Sequence, residues 1–543
     1  MKKIFSFSLL ISGLVLISMS SCKKLIDDAY ANPNAKVRVP IETLLPGLIG
    51  NMIGSSSAQG SGYGTANDAL YVGRYIQYWA TNVTGNQFDQ MGGATGVSDL
   101  LGNVWAMHYY GQGENLNKMI LWGKEEKKWD YVGAGYALRA WGWLTLTNMH
   151  GEVIMKEAFR PEQLVFKYDD QEFVYDSLRV ICRLALEYLN MDGDSVSQAN
   201  LNKGDAYLNK GDREKWKKFV YAVLARSYNQ LSNKSSYKPD SVIHYCNLAM
   251  QTNADNVTAT FANTGITGTS NFFGPFRANV GALRQTEWVT NLMNGLNPMF
   301  AGVVDPRIHY YLRDNPNGTY KGIKPNRGAS GLPTGDQPRN FWGGLFSATT
   351  ATLDTGARYI FKNGAPFPVI TASEIQFMKA EAYYRKGDRT SALNAYRQGI
   401  SLSLDLLTTD YNASVPAALQ MTPATKAAFL GNTKVVPSSG DSLRMTHIML
   451  QKYLALFGYG AIETWTDMRR FHYTDFEESG DRQVFVDFIP PSGVDLFTNN
   501  NQKWVYRARP RYNSEYLYNI AELQRLGGLD LDYHTKEQWF SQK

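Results

Sequence analysis

The chain has 543 residues, with 55 Lys or Arg against 49 Asp or Glu and a formal charge of +6. That near balance, without any dense basic block, gives no footing to nucleic-acid binding. The length allows a large core or several lobes. The first 22 residues are laid out for export. Lys2 and Lys3 precede an apolar run from Ile4 to Met19, and Ser20 and Ser21 lead directly into Cys22. A short basic start, an apolar stretch and small residues at the cleavage point make a secretory signal. The run is short for a membrane span, which needs about 20 apolar residues.

A cysteine right after the small residues makes the segment look like a bacterial lipoprotein signal. In such signals the cysteine is acylated, for example with palmitate, and becomes the new N-terminus. The alternative is an ordinary secreted protein with a cysteine there by chance. The expected division is a signal over 1–21, a lipidated tether and docking segment over 22–45, and one domain over 46–543. Losing Lys2 and Lys3 leaves 53 basic residues against 49 acidic, or +4. No later stretch reaches spanning length.

Beyond the tether, IETLLPGLIGNMIG begins a helical stretch, and a Gly/Ser-rich loop follows it. Asp68 is expected to cap a helix over ALYVGRYIQYWATNV. A second loop separates it from LLGNVWAMHYYGQGENLNKMILW. Helical hairpins come next: YVGAGYALRAWGWLTLTNM, stopped by Gly151 after His150, then QEFVYDSLRVICRLALEYLN, GDREKWKKFVYAVLARSYNQLS and PDSVIHYCNLAMQ. Cys182 and Cys246 fall in two of these helices and read as buried free thiols, although export would permit a disulfide.

Residues 252–370 change character. They hold 15 Gly and 9 Pro, where the whole chain has 48 and 20. That density predicts loops and short strands, an irregular lobe on a helical frame over 68–251 and 371–475. Helices return in ASEIQFMKAEAYYRKGDRTSALNAYRQGISLSL. Ala380, Tyr383, Gly387, Ala392 and Tyr396 match the tetratricopeptide spacing, with Gly399 where a final alanine is usual. Small residues let two helices approach closely, and the tyrosines plug the spaces beside them. Ala225 with Tyr228, and Ala140 with Trp143, repeat the small-then-aromatic step. The fold class is therefore mainly α, with tetratricopeptide-like helical pairs and a loop-rich ligand-binding lobe.

The sequence has no HExxH, GxSxG, phosphate-loop or CxxC motif. Its seven histidines are scattered without metal-ligand spacing. No catalytic residue, cofactor or metal is predicted, and no enzyme activity. Three readings stand side by side: a glycan-capturing module, a lipid-anchored tetratricopeptide scaffold for protein partners, and a glycosidase. The large irregular lobe favours the first.

Several segments together resemble the SusD/RagB family of nutrient-binding outer-membrane lipoproteins. The likeness runs through ANPNAKVRVPIETLLPGLIG, YALRAWGWLTLTNMHGEVIMKEAF, EKWKKFVYAVLARSYNQL and DPRIHYYL with Asp305, Pro306 and Arg307. It continues in SEIQFMKAEAYYRKGD, in IMLQKYLALFGYGAIETWTDMRRFHY and in RPRYNSEYLYN. The helix-ending segment carries Gln451, Lys452, Trp465, Asp467, Arg469 and Arg470. The turn after His150 lacks the family's usual proline, and Lys23 and Lys24 follow Cys22 where a surface-export signal wants acids.

The resemblance implies a lipid-anchored protein of the outer membrane, facing the cell surface. It would bind an oligosaccharide or other small nutrient and deliver it to a SusC-like TonB-dependent transporter. The motif arginines are expected to be scaffold. Binding residues are expected in the loops, where aromatic faces stack on sugars: Tyr63, Trp79, Gln87 and Phe88 from the first loops, and Phe272, Phe273, Trp288, Phe341 and Trp342 from the irregular lobe.

Overall fold

The computed structural model describes residues 38–54, 63–85, 88–93, 99–160, 162–277, 279–329, 331–350 and 353–543. Cys22 and Gln87 lie outside these residues, as does everything before residue 38. Among the described residues the protein is mainly helical, with 17 α-helices and four short strands.

The N-terminal third is built around one long buried helix. Helix α1 (Leu45–Ile53) and α2 (Thr65–Tyr75) are followed by strand β1 (Trp79–Thr81). The chain then forms α3 (Asn103–Ala106), a π-helical turn over Met107–Gln112, α4 (Gly113–Glu125) and α5 (Trp129–His150). In α5 20 of 22 residues are buried, so it is enclosed on every side rather than on one stripe. Small residues on α5 admit its neighbours. A Cβ on Gly142 would sit 2.4 Å from His108 Nδ1, and one on Gly133 would sit 2.5 Å from Leu189 Cγ. Gly151 ends the helix at φ +87°, as expected from the sequence.

The expected helix over residues 69–83 is shorter and shifted. It starts at Thr65 and stops at Tyr75, and residues 79–81 form a strand instead. Asp68 does not cap this helix. It lies in the first turn, buried, and its carboxylate accepts from Val104 N (2.8 Å) and from Asn103 Nδ2 (3.1 Å), so it caps α3. A cap can act on another element, which sequence order does not show.

Helices α6 (Gln171–Leu189), α7 (Gln198–Asp205), α8 (Arg213–Asn229) and α9 (Pro239–Leu248) continue the hairpins. Cys182 and Cys246 are buried and free. Residues 252–370 hold only short elements: β2 (Val257–Ala259), β3 (Leu283–Gln285), α10 (Glu287–Asn294), α11 (Ile308–Tyr311) and β4 (Phe367–Ile370), among several 3-10 turns. The strands make two separate antiparallel pairs, β1 with β3 and β2 with β4.

The hairpin of α12 (Ala372–Lys386) and α13 (Arg389–Asp410) turns at Gly387, left-handed at φ +88°. Thr371 and Asp388 cap the two N-termini through Glu374 N (3.3 Å) and Ser391 N (3.0 Å). Ala380 and Ala392 are fully buried. A Cβ on Gly399 would meet the Phe377 ring at 3.1 Å. Then follow α14 (Pro423–Gly431), α15 (Met445–Ala455), α16 (Ala461–Arg470) and α17 (Ile520–Leu526).

The motif residues are structural. Arg307 pairs with Asp305 across two residues and also reaches Ser403 Oγ (3.1 Å). Arg470 pairs with Asp467 (2.6 Å) and with Glu381 (2.7 Å). Arg469 pairs with no acid among the described residues. It donates to the carbonyls of Asn148 (2.7 Å) and Tyr506 (2.9 Å), and burial pulls its pKa down to about 10.

Candidate functional site

The β1–β3 pair lies beside a cleft of about 410 Å³. It forms where three stretches meet: the turn after α2, the start of α10 with the loop around residue 325, and the loop 487–495. After α2 the chain reverses at Gln77, left-handed at φ +62°. A non-glycine residue rarely sits there. Gln77 is held by its side chain, which donates to Ile489 O (2.6 Å), and by Thr286 Oγ1, which donates to its carbonyl. Thr286 also caps α10. That places Trp288 in the first turn, with its indole N–H on Val486 O (2.9 Å) and its ring against Tyr453 (4.5 Å) and Phe488 (5.0 Å).

Two ion pairs flank the cleft. Arg327 holds Asp495 at two points, one of them 2.6 Å, and Asn326 donates to the same carboxylate (3.0 Å). Lys324 and Glu287 approach at 3.9 Å. Asn291 also lines the cleft, and its side-chain amide hydrogen-bonds to no described residue. Ile489 stands 73% exposed at the rim beside Pro490 and Pro491. Next to Phe88, the Asp89 carboxyl is pushed up to about pH 6 by burial, which its hydrogen bonds from Phe497 N and Asn500 Nδ2 only partly offset. The cleft therefore offers amides, two ion pairs, the exposed carboxylate of Asp487 and an apolar rim. Amides and a carboxylate both hydrogen-bond to hydroxyls, so the lining suits a ligand with many hydroxyls.

Of the expected binding residues, the structure brings Phe88 and Trp288 together here. Both show little surface and form wall rather than platform. Trp79, Phe273, Phe341 and Trp342 are core. Trp79 is 0% exposed, its indole N–H bound to Leu70 O (2.8 Å) and its ring against Gly73, where a Cβ would lie 2.5 Å away. Phe341 stacks on Phe361 (4.2 Å), Phe273 stacks on Phe367 (5.6 Å), and Trp342 donates to Phe273 O (3.1 Å). An irregular lobe has no helical stripe to bury, so its large rings must build its core. Phe272 packs edge-on against Phe273 (5.7 Å). Tyr63 is half-buried beside Tyr110 (6.4 Å), away from the cleft. Gln77, Asn291, Lys324, Arg327 and Asp495 were not foreseen. The turn-rich FIPPSGVD run marks the third stretch, but it lies beyond the lobe that the composition singled out.

Among the described residues no group of three or more His, Cys, Asp or Glu is placed to hold a metal ion, and no helix is long and apolar enough to cross a membrane.

Residues 39–490 match the family model SusD-like, described as "Starch-binding associating with outer membrane". The chain belongs to this SusD-like family. Solved structures agree on the fold. A SusD/RagB family protein from Bacteroides thetaiotaomicron aligns with a TM-score of 0.65 at 18% identity, over 93% of this chain and 99% of its own. A SusD homolog from Bacteroides fragilis gives 0.65 at 20%, over 93% and 100%. A chitin-binding SusD homolog from Flavobacterium johnsoniae gives 0.59 at 16%, over 92% and 98%. At these identities the likeness establishes the fold alone. No curated protein matches the sequence.

Proposed function

We propose that this protein captures a neutral oligosaccharide in the cleft beside β1 and β3, without cutting it, and passes it to a TonB-dependent transporter of the outer membrane. The observation that carries the reading is the cleft's chemistry. Four of its five charged residues stand in the pairs Arg327–Asp495 and Lys324–Glu287, the fifth, Asp487, is an exposed acceptor, and the Asn291 amide is left open beside the Trp288 and Phe88 walls. Amides recognise hydroxyls, the two ion pairs do not demand an ionic ligand, and the Asp487 carboxylate can accept from a sugar hydroxyl. A family described as starch-binding supports a glycan as the ligand. Cys22 is the proposed lipid anchor, so that the body works at the membrane surface.

The test is a glycan array followed by calorimetry and a reducing-end assay on the hits. Binding with Kd between about 1 μM and 1 mM, or roughly 8 to 4 kcal/mol, without released reducing ends, is the expected result. Cleavage of a bound glycan would move the protein to the glycosidases. Binding only to peptides or small metabolites would refute the sugar. Cys22→Ala should free the protein from the membrane fraction. Co-purification with a transporter barrel tests delivery.

A further inference from the structure

A second cavity, of about 490 Å³, lies away from the glycan cleft, and its walls are of a different kind. Trp105, Tyr109, Tyr110, Phe159 and Phe166 supply five aromatic rings, and Glu515 supplies a carboxylate. The rings are close: Trp105 to Tyr109 is 5.0 Å and Tyr109 to Phe159 is 6.1 Å between centroids. Two π-helical turns feed this one place. Tyr109 and Tyr110 come from Met107–Gln112, and Glu515 comes from Tyr512–Tyr516. Such turns are rare and recur at functional sites.

Glu515 is the unusual group. It is 6% exposed, and no Lys or Arg among the described residues lies within ion-pair distance of it. Tyr168 Oη (2.8 Å) and Asn519 Nδ2 (2.9 Å) donate to it, both on Oε2. Neither bond takes Oε1, and Glu515 lines the cavity. Burial pushes the carboxyl above its usual range, against the pull of Asn519, Tyr168 and Ser514 and of the Arg511 charge farther off. A buried carboxylate without a cation is costly, and a cationic ligand would relieve it. Two of the rings already carry a cation. Arg139 stands 4.5 Å over Phe159, and Arg511 stands 5.5 Å over Tyr110. Both are spoken for, Arg139 by Gly113 O (3.0 Å) and Arg511 by Asp99 (2.5 Å). Arg160 also lines the cavity, and it is turned to Lys156 O (3.2 Å).

We infer that this cavity binds an organic ammonium group, with the cation over the Tyr109 and Tyr110 rings, Trp105 backing them as wall, and against the Glu515 carboxylate. Aromatic walls with a carboxylate are the chemistry that selects alkylated or primary ammonium over neutral groups. The same head group occurs in amino sugars, in choline-type head groups and in lysine side chains.

Calorimetry on the full-length protein with choline, glucosamine and Nα-acetyl-lysine amide distinguishes these sources. Each is run against an uncharged partner: the tert-butyl analogue of choline, glucose and Nα-acetyl-norleucine amide. At least one ammonium probe is expected to bind where its neutral partner does not. Glu515→Gln and Tyr110→Ala should each weaken it on the order of tenfold. Asn291→Ala, in the glycan cleft, should leave it unchanged. Tyr110 is 51% exposed, so its variant tests the site even if Glu515→Gln folds poorly. Equal binding of charged and neutral partners, binding of none, or indifference to Tyr110→Ala overturns the inference.

Discussion

Arg470 and Glu381 face each other as a two-point ion pair in which neither side chain is exposed: Nη1–Oε1 is 2.7 Å and Nη2–Oε2 is 2.9 Å. The pair ties α16 to α12. Asp467 shares Arg470 (2.6 Å), Lys452 reaches Asp467 (2.7 Å), and Asn229 from α8 donates to Glu381 (3.0 Å). Three hairpins thus meet at one charge cluster.

The cluster is expensive to break because a single deletion strands a charge in the core. Glu381→Gln is expected to destabilise the protein by about 3–5 kcal/mol, and replacing both partners with apolar side chains of similar volume should cost less. Urea unfolding of the three proteins measures the difference. Burial alone would raise the Glu381 carboxyl, but Arg470 and Arg385 outweigh it and hold it well below the usual range. A depressed carboxyl contributes stability above its unfolded value, near pH 4, and loses it as the pH falls further. The gap between wild type and Glu381→Gln should therefore narrow in acid, and a gap that widens there would contradict the assignment.

His472 shows the opposite sign. Its two ring nitrogens meet Asp475 (2.7 Å) and Glu537 (2.8 Å), and these hydrogen bonds raise its pKa to about 9. A raised histidine contributes its full stability below its unfolded value, near pH 6.5, and loses it as the pH climbs to 9. The contribution is roughly 1–3 kcal/mol. His472→Gln should lower the melting temperature at pH 6 and have little effect at pH 10. An equal effect at both would mean that packing, not charge, is what His472 supplies.

The helical frame was legible because its signals are local. Gly387 after α12, Gly151 after α5 and the small residues at Ala380 and Ala392 act within a hairpin. The lobe was legible as a composition and no further. Trp79, Phe341 and Trp342 look like exposed loop aromatics in the sequence, because nothing local reports that Phe457 closes over Trp79 or Phe361 over Phe341. Arg327 and Asp495 are 168 residues apart, and no periodicity links them. Asp68 misled for the same reason: its partner, Asn103, is 35 residues on.

The two described cysteines should be silent to thiol reagents. Burial pushes Cys246 up to about 12 and raises Cys182 as well. A thiolate is the reactive form. In a Cys22→Ala background, a disulfide-exchange dye is expected to label no thiol in native buffer and two in denaturant. Labelling of either thiol in the native state would show that α6 or α9 opens locally.

The last prediction separates fold from binding. Trp79 fills a closed space against Gly73, Phe341 and Phe457. Trp79→Ala should therefore cost about 3–5 kcal/mol of stability. Any binding it loses should follow the loss of folded protein. Asn291→Ala sits at the cleft surface and should change stability by less than about 0.5 kcal/mol. It should weaken the glycan by about 1 kcal/mol, close to fivefold, since one hydrogen bond is removed. Arg327→Ala is the sharper case. It releases Asp495 and the loop 487–495 together, so both a neutral glycan's fit and the charge balance of the cleft change. Affinity should fall more than for Asn291→Ala, with the melting temperature nearly unchanged because Arg327 is 42% exposed. Thermal unfolding and calorimetry on the same preparations read both quantities. If Asn291→Ala and Arg327→Ala keep full affinity, the glycan site lies elsewhere on the protein. If Trp79→Ala stays fully folded and loses binding, the core assignment of that ring is wrong.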